Sequence, residues 1–347
     1  MDFAQNLLFW YQKNRRDLPW RRTKDPYKVW LSEIILQQTR VDQGLPYYEA
    51  FVKAFPTVHD LAKAPTDKVM KLWQGLGYYS RARNLHEAAK MVVKDFGGKF
   101  PDNFDDLLRL KGVGEYSASA ISSICFGEAK AVVDGNVYRV LSRIFGVKDA
   151  IDSTKGKKVF RELANELLFE KDAGNYNQAI MEFGAKQCVP KSPDCAQCIF
   201  VLSCVARKKK LIDQLPLKEK KTKVRERHFH YLVIEQKGKV FFKQRKEKDI
   251  WNGLFDFPLI ETKKKESVKK LATGKEWKII FGSSKTEVVK VSEEVKHVLS
   301  HQLLFIQFIH VSVNGNFKPD KNWKAVKKSE RKKLAVPIVI HNYFSHE

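Results

Sequence analysis

Four of the five cysteines in this 347-residue chain fall within seventeen residues, Cys188, Cys195, Cys198 and Cys204 in CVPKSPDCAQCIFVLSC. Thiols that close together seldom form disulfides in a cytosolic chain and far more often share a metal group, which ties a loop to whatever precedes it. The spacing is C-x6-C-x2-C-x5-C, one close pair with an outlying cysteine on each side. Structural zinc favours two close pairs, so spacing alone leaves zinc and an iron–sulfur cluster both open. The fifth cysteine, Cys125, reads as a small buried residue.

Upstream of the cysteines the chain is helical in period. Asp25-Pro26 reads as an N-cap with a first-turn proline opening a long helix, YKVWLSEIILQQTRV. Further helices are expected in LHEAAKMVVKDF, EYSASAISSICF, NVYRVLSRIF and KVFRELANELL. The run RKKKLIDQLPLKEKKTKVRER is charged and reads as a linker lying against an anionic partner. Beyond it, HFHYLVIEQKGKVFFKQR offers two β-rich runs joined at Lys-Gly, and HVLSHQLLFIQFIHVSV is another strand-like run. The expected organisation is therefore an all-α domain over 1–206, a basic linker over 207–227 and an α+β domain over 228–347. The net charge of +24, spread along the chain, suits a phosphate backbone as partner. With no run of about 18 apolar residues and no signal-peptide cleavage pattern, the expectation is a soluble cytoplasmic protein without a membrane partner.

Two carboxylates stand out. Glu33 lies on an apolar helical stripe with Trp30 and Leu36, where burial raises a carboxyl pKa and fits the group for general acid work. Pairing with Arg21 or Arg40 is the plainer alternative for it. Asp134, in AVVDGNVYRVLSR, stands at a helix start; it reads as an N-cap, or as a carboxylate that the helix N-terminus keeps ionised while Glu33 stays protonated. Carboxyls with pKa values driven apart form the usual pair for cleaving a glycosidic bond. In LKGVGEYSASA, Gly112-Val113-Gly114 at a helix entrance offers backbone amides to an anion, with Tyr116 one step inside.

The cysteine spacing behind a helical segment resembles the iron–sulfur loop of endonuclease III-like DNA glycosylases, and LKGVGEYSASA (hairpin 110–118) resembles their helix-hairpin-helix, whose glycine amides hold a DNA phosphate. With WLSEIILQQTRV, GLGYYSRARNL, AVVDGNVYRVLSR and the loop 188–204 in the same order, nearly the whole chain resembles the MutY family of adenine DNA glycosylases.

That resemblance implies a multidomain fold, an all-α helix-hairpin-helix domain with a [4Fe-4S] cluster on Cys188, Cys195, Cys198 and Cys204, plus a Nudix-like α+β domain. It implies a monomer acting on double-stranded DNA with A·8-oxoguanine or A·G mispairs, flipping the adenine out and hydrolysing its N-glycosidic bond. Glu33 would protonate adenine, and Asp134 would stabilise the sugar cation with support from Asn136 and Tyr116. Trp20, Arg21 and Gln178 match positions around the adenine pocket. Gln38, Thr39, Leu76, Gly77 and Tyr78 match residues entering the stack or touching the orphaned base. Ser300 and His301, in HVLSH with His297, match the loop that reads 8-oxoguanine, although Leu299 stands where an aromatic is common. Lyases of the same scaffold carry lysine where this chain has Tyr116, so a monofunctional enzyme leaving an abasic site is expected. The stretch FPLIETKKKESVKKLAT lacks the dense Glu/Arg box of a Nudix hydrolase, and base reading without pyrophosphatase activity is expected there.

Overall fold

The computed structural model describes residues 2–219, 224–246, 249–314 and 317–345. Residues 220–223 of the basic run 207–227, and 247–248, 315–316 and 346–347 of the C-terminal half, lie outside them. The chain forms two compact units, one comprising Met1–Lys63 with Asn84–Lys221, the other Ala64–Arg83 with Thr222–Glu347.

The helices of the first half are α1 (Phe3–Asn14), α2 (Pro26–Leu36), α3 (Val41–Ala54), α4 (Val58–Lys63), α5 (Thr66–Leu72), α6 (Ser80–Asp95), α7 (Phe104–Leu108), α8 (Glu115–Phe126), α9 (Gly135–Phe145), α10 (Thr154–Glu166), α11 (Ala173–Lys186) and α12 (Val205–Lys208). Their ends follow local chemistry. Asp25 caps α2 by accepting the Tyr27 amide, Ser153 caps α10 through the Gly156 amide, and α8 and α9 each stop at a left-handed glycine, Gly127 and Gly146. Helix α2 is shorter than its apolar stripe suggested. It ends at Leu36, Gln38 turns left-handed at φ 55°, and α3 starts three residues on. A core of α1, α8, α9, α10 and α11 side chains includes Trp10, Tyr11, Val140, Leu141, Phe160 and Phe183.

The basic run is not a free linker throughout. Leu215 is buried, Leu211 and Ile212 pack on the same core, and the Ile151 amide donates to the Leu217 carbonyl at 3.0 Å. Its few apolar residues suffice to hold it, because each meets a preformed core.

The second unit carries a mixed sheet whose described strands are β1 (Arg225–Gln236), β2 (Lys239–Gln244), β3 (Phe255–Asp256), β4 (Leu259–Thr262), β5 (Lys285–Val291), β6 (Val295–Val298), β7 (Gln302–Asn314) and β8 (Trp323–Lys327). Strands β1 and β7 run parallel at its centre, and β2 returns antiparallel through Lys237-Gly238, both left-handed, as a two-residue hairpin requires. The run HVLSHQLLFIQFIHVSV is two antiparallel strands, β6 and β7, turning at Leu299-Ser300-His301. Short helices α13 (Val268–Thr273), α14 (Lys275–Phe281) and α15 (Ile338–Tyr343) complete the unit. Residues 64–83 cluster with this sheet-bearing unit instead of with the helices around them in sequence. Lys71 Nζ donates to the Leu334 carbonyl at 3.0 Å and the Val336 amide to Gln74 Oε1 at 3.4 Å.

Candidate active site

Helix α2 places Glu33 one turn past Val29 and Trp30, and both the stripe and the carboxyl are buried. A cavity of about 960 Å³ opens on it, lined by nine of the sequence-predicted residues: Trp20, Arg21, Glu33, Gln38, Thr39, Tyr116, Asp134, Asn136 and Gln178. These come from separate elements: the 3-10 turn Pro19–Arg21, α2 and the turn after it, α8, the N-terminus of α9, and α11. A space of this size falls within the range of small-molecule sites.

Burial pushes the Glu33 carboxyl up to about 7; a hydrogen bond with Tyr116 and the charge of Arg21 pull it down, while Asp134 adds to the rise. Tyr116 is half-buried, its phenol pushed well up by burial and by Glu33, and its hydroxyl donates to Met181 Sδ at 3.1 Å. Of the two alternatives for Glu33, pairing with Arg21 is not the one adopted, since that guanidinium donates to Glu182 Oε2 at 2.8 Å.

Asp134 is a complete N-cap. Its Oδ1 accepts the amides of Asn136 and Val137, each at 2.8 Å, and its Oδ2 accepts Asn136 Nδ2 at 2.8 Å. The helix N-terminus was expected to favour the ionised form of Asp134, and here that effect works against burial. Burial raises the Asp134 carboxyl above its ordinary value, and the cap bonds and Arg139 work against that rise. The two carboxyls therefore differ in their donors more than in the direction of their shifts. Asp134 has three donors fixed on its oxygens, and Glu33 has chiefly a phenol.

Sequence reasoning missed Glu182, a further carboxylate lining the cavity. Burial works to raise it, yet hydrogen bonds from Arg16 and Arg21 hold it at about 2. Arg16 donates from its amide and Nε at 2.9 Å and from Nη2 at 2.6 Å. On α11 the residues three and four away from Glu182 are Gln178, Ala179, Ala185 and Lys186, so it lacked the strong apolar stripe that singled out Glu33. Asn177 was also missed. It ties the loop before Asp134 by donating to Ser123 Oγ at 2.8 Å and the Lys130 carbonyl at 2.7 Å, and by accepting the Val132 amide at 3.1 Å.

The remaining predicted residues lie outside that cavity. Gly112 is left-handed at φ 79°, and a Cβ there would meet Asn84 Cβ at 2.7 Å; Val113 is buried, and Gly114 caps α8 without a side chain, leaving its first-turn amides open to an anion. Leu76, Gly77 and Tyr78 belong to the sheet-bearing unit with Ser300 and His301. There the Tyr78 and Ser300 hydroxyls hydrogen-bond each other, a pairing that no sequence signal announced. Leu76 is buried, and Gly77 and Tyr78 are consecutive left-handed residues. His301 closes the β6–β7 turn, its carbonyl accepting the Arg225 amide at 3.0 Å.

All four clustered cysteines line one small cavity, although among the described residues no three His, Cys, Asp or Glu side chains are grouped as ligands of a single metal ion. The surroundings fit a group held by thiolates. Arg143 Nη1 donates to Cys188 Sγ at 3.6 Å and the Phe200 amide to Cys198 Sγ at 3.4 Å, the N–H contacts that anionic sulfur accepts. Burial pushes the Cys198 thiol up to about 11, so a strongly cationic partner is needed to ionise it. Helix α9 joins this loop to the carboxylates. Below Asp134, Arg139 donates to Asn136 Oδ1 at 2.8 Å and to the Cys188 carbonyl at 2.7 Å, and Arg143 holds the Val189 and Pro190 carbonyls at 2.8 and 3.0 Å.

Residues 31–167 match the model of the HhH-GPD superfamily of base excision DNA repair proteins, and residues 230–346 match the NUDIX domain. An adenine DNA glycosylase of Buchnera aphidicola subsp. Schizaphis graminum is 33% identical over 97% of this chain and 96% of its own length. The chain belongs to the adenine DNA glycosylase family. A human adenine DNA glycosylase is 34% identical over 90% of this chain and 67% of its own length. Among solved structures, a thermostable thymine-DNA glycosylase aligns with a TM-score of 0.56 and 33% identity, covering 60% of this chain and 95% of that one. An endonuclease III–DNA complex, at 21% identity and a TM-score of 0.52 over 60% of this chain, shares the fold. This DNA glycosylase thus joins an endonuclease III-like helical region to a C-terminal Nudix-like region. No described helix is long and apolar enough to cross a membrane.

Proposed function

We propose that this glycosylase removes adenine mispaired with 8-oxoguanine or guanine from double-stranded DNA, by base flipping and hydrolysis of the N-glycosidic bond, and leaves an abasic site. The observation that carries the reading is the meeting, in one cavity, of a carboxyl poised at about 7 and a carboxylate held by three donors. Near neutral pH Glu33 retains a proton to give to the leaving base, which a purine needs because its anion is a poor leaving group. Asp134, its oxygens fixed by the cap, faces the positive charge that develops on the sugar. Asn136 and Tyr116 hold these two groups, and Trp20, Arg21 and Gln178 shape the space for the base. A mispair lowers the few kcal/mol that unstacking costs, which is one source of selectivity.

Tyr116 supports the monofunctional reading, since a phenol has no amine nitrogen with which to form an imine with the sugar. Gln38, Thr39, Leu76, Gly77 and Tyr78 are proposed to enter or flank the DNA stack. Gly112, Val113 and Gly114 are proposed to grip a phosphate, and Ser300 and His301 to read the oxidised base. Cys188, Cys195, Cys198 and Cys204 would hold a [4Fe-4S] cluster, whose ligation would tie the loop 188–204 to α9.

Likeness to a thymine-DNA glycosylase keeps one rival in view, but that protein aligns with 60% of this chain, whereas adenine glycosylases align with almost all of it. The deciding assay compares base release from A·8-oxoguanine, A·G and T·G duplexes. Adenine release from the first two, lost in Glu33→Gln, is expected; thymine release alone would overturn the reading. Efficient borohydride trapping of the enzyme on DNA during turnover would overturn the monofunctional part.

A further inference from the structure

Beside the catalytic cavity, and sharing Tyr116, Val133 and Tyr138 with it, lies a second cavity of about 430 Å³. Its remaining wall is strongly cationic, with Lys130, Lys157 and Arg161 set against a single carboxylate, Glu115. We propose that this second cavity seats backbone phosphates of the damaged DNA strand next to the extruded nucleotide, with Arg161 exchanging its partner Glu115 for a phosphate. The proposal rests on the DNA glycosylase reading given above.

Five features carry it. The two cavities share Tyr116, Val133 and Tyr138 as wall residues, and a nucleic-acid strand bears a phosphate every ~3.4 Å of rise, so neighbouring phosphates fall within reach of that wall. Glu115 is the first residue of α8, directly after the hairpin glycine Gly114, so the cavity adjoins the open amides of that helix end. Helix α10 sets Lys157 and Arg161 four residues apart on one face, the spacing that brings side chains together, while Lys158 points elsewhere and pairs with Glu162 at 3.8 Å. The Arg161–Glu115 pair is exposed on both sides, with side-chain exposures of 57% and 62%. Such a pair holds its partners weakly, and a guanidinium matches phosphate geometry as well as it matches a carboxylate. Lys130 lies 4.8 Å from the Phe104 ring centroid with Glu128 Oε1 at 3.7 Å, a loose arrangement that leaves its ammonium able to turn toward an anion.

The test measures binding of the full-length protein to undamaged and A·8-oxoguanine duplexes as a function of salt, for the native chain and for Lys157→Gln, Arg161→Gln, Glu115→Gln and Lys158→Gln. Each phosphate contact removed should lower the log–log salt slope by about 0.9, so Lys157→Gln and Arg161→Gln should each do so and weaken both duplexes alike. Glu115→Gln frees Arg161 and should tighten binding, whereas Lys158→Gln should match the native protein. A structural ion pair would instead make Glu115→Gln and Arg161→Gln fail together, and that outcome overturns the proposal. So does a Lys158→Gln slope equal to that of Lys157→Gln, which would reflect net charge alone. Adenine release by the native protein is measured in parallel. Its absence would defeat the reading of the catalytic site, while the slopes would still decide the phosphate seat.

Discussion

Two walls of one cavity carry buried glutamates with opposite electrostatics. On the α2 wall, Glu33 meets a phenol and is pushed up to about 7; on the α11 wall, Glu182 meets two arginines and is held at about 2. Both are buried among apolar neighbours. Burial therefore sets the stakes, and the donors on the carboxyl decide the outcome. Glu182 is a fixed anion that anchors Arg16 and Arg21, and Glu33 is a group able to give up a proton near neutral pH.

Exchanging each carboxylate for its amide breaks the comparison in different currencies. Glu33→Gln keeps the shape and removes the transferable proton, so single-turnover adenine release should fall by about 10²–10⁴-fold. Glu182→Gln leaves Arg16 and Arg21 without their anion and should cost about 3–5 kcal/mol in a denaturant titration, with loss of activity following loss of fold. Stability should also depend on pH with opposite signs at the two sites. The folded chain keeps the Glu33 proton to about pH 7 and the unfolded chain loses it near 4.5, so stability falls as pH rises between them. Glu33→Gln should remove that penalty and gain about 3 kcal/mol relative to the native protein above pH 7, against no gain below pH 4.5. The Glu182 contribution is present above its unfolded pKa of 4.5 and is lost as pH falls through 2. Tyr116→Phe should have the smallest effect. It removes the hydrogen bond that favours the charged form of Glu33, so the pH dependence of base release should move to higher pH with the fold intact.

Much of this arrangement was legible in the chain because local chemistry marked it. Helices α8 and α9 could be bounded from their flanking Gly and Asp residues, and Glu33 stood out as a charge on an apolar stripe. The two β-rich runs joined at Lys-Gly likewise became β1 and β2. What stayed hidden depends on tertiary partners. The end of α2 at Leu36 needs the left-handed turn at Gln38, which an unbroken apolar period does not reveal. That Glu182 is an ion-pair anchor follows from Arg16 and Arg21, some 160 residues away in sequence. The packing of residues 64–83 with the sheet-bearing unit has no local signature either, since α5 looks like any other short helix.

The central claim, that Glu33 acts as an acid whose pKa is set by burial, is tested most directly by the pH dependence of single-turnover adenine release from an A·8-oxoguanine duplex, at saturating protein. The account predicts a rate that is level below pH 7 and falls as pH rises through about 7, with that fall absent from the residual rate of Glu33→Gln. A native rate that climbs between pH 6 and 8, or a fall retained by Glu33→Gln, would contradict it.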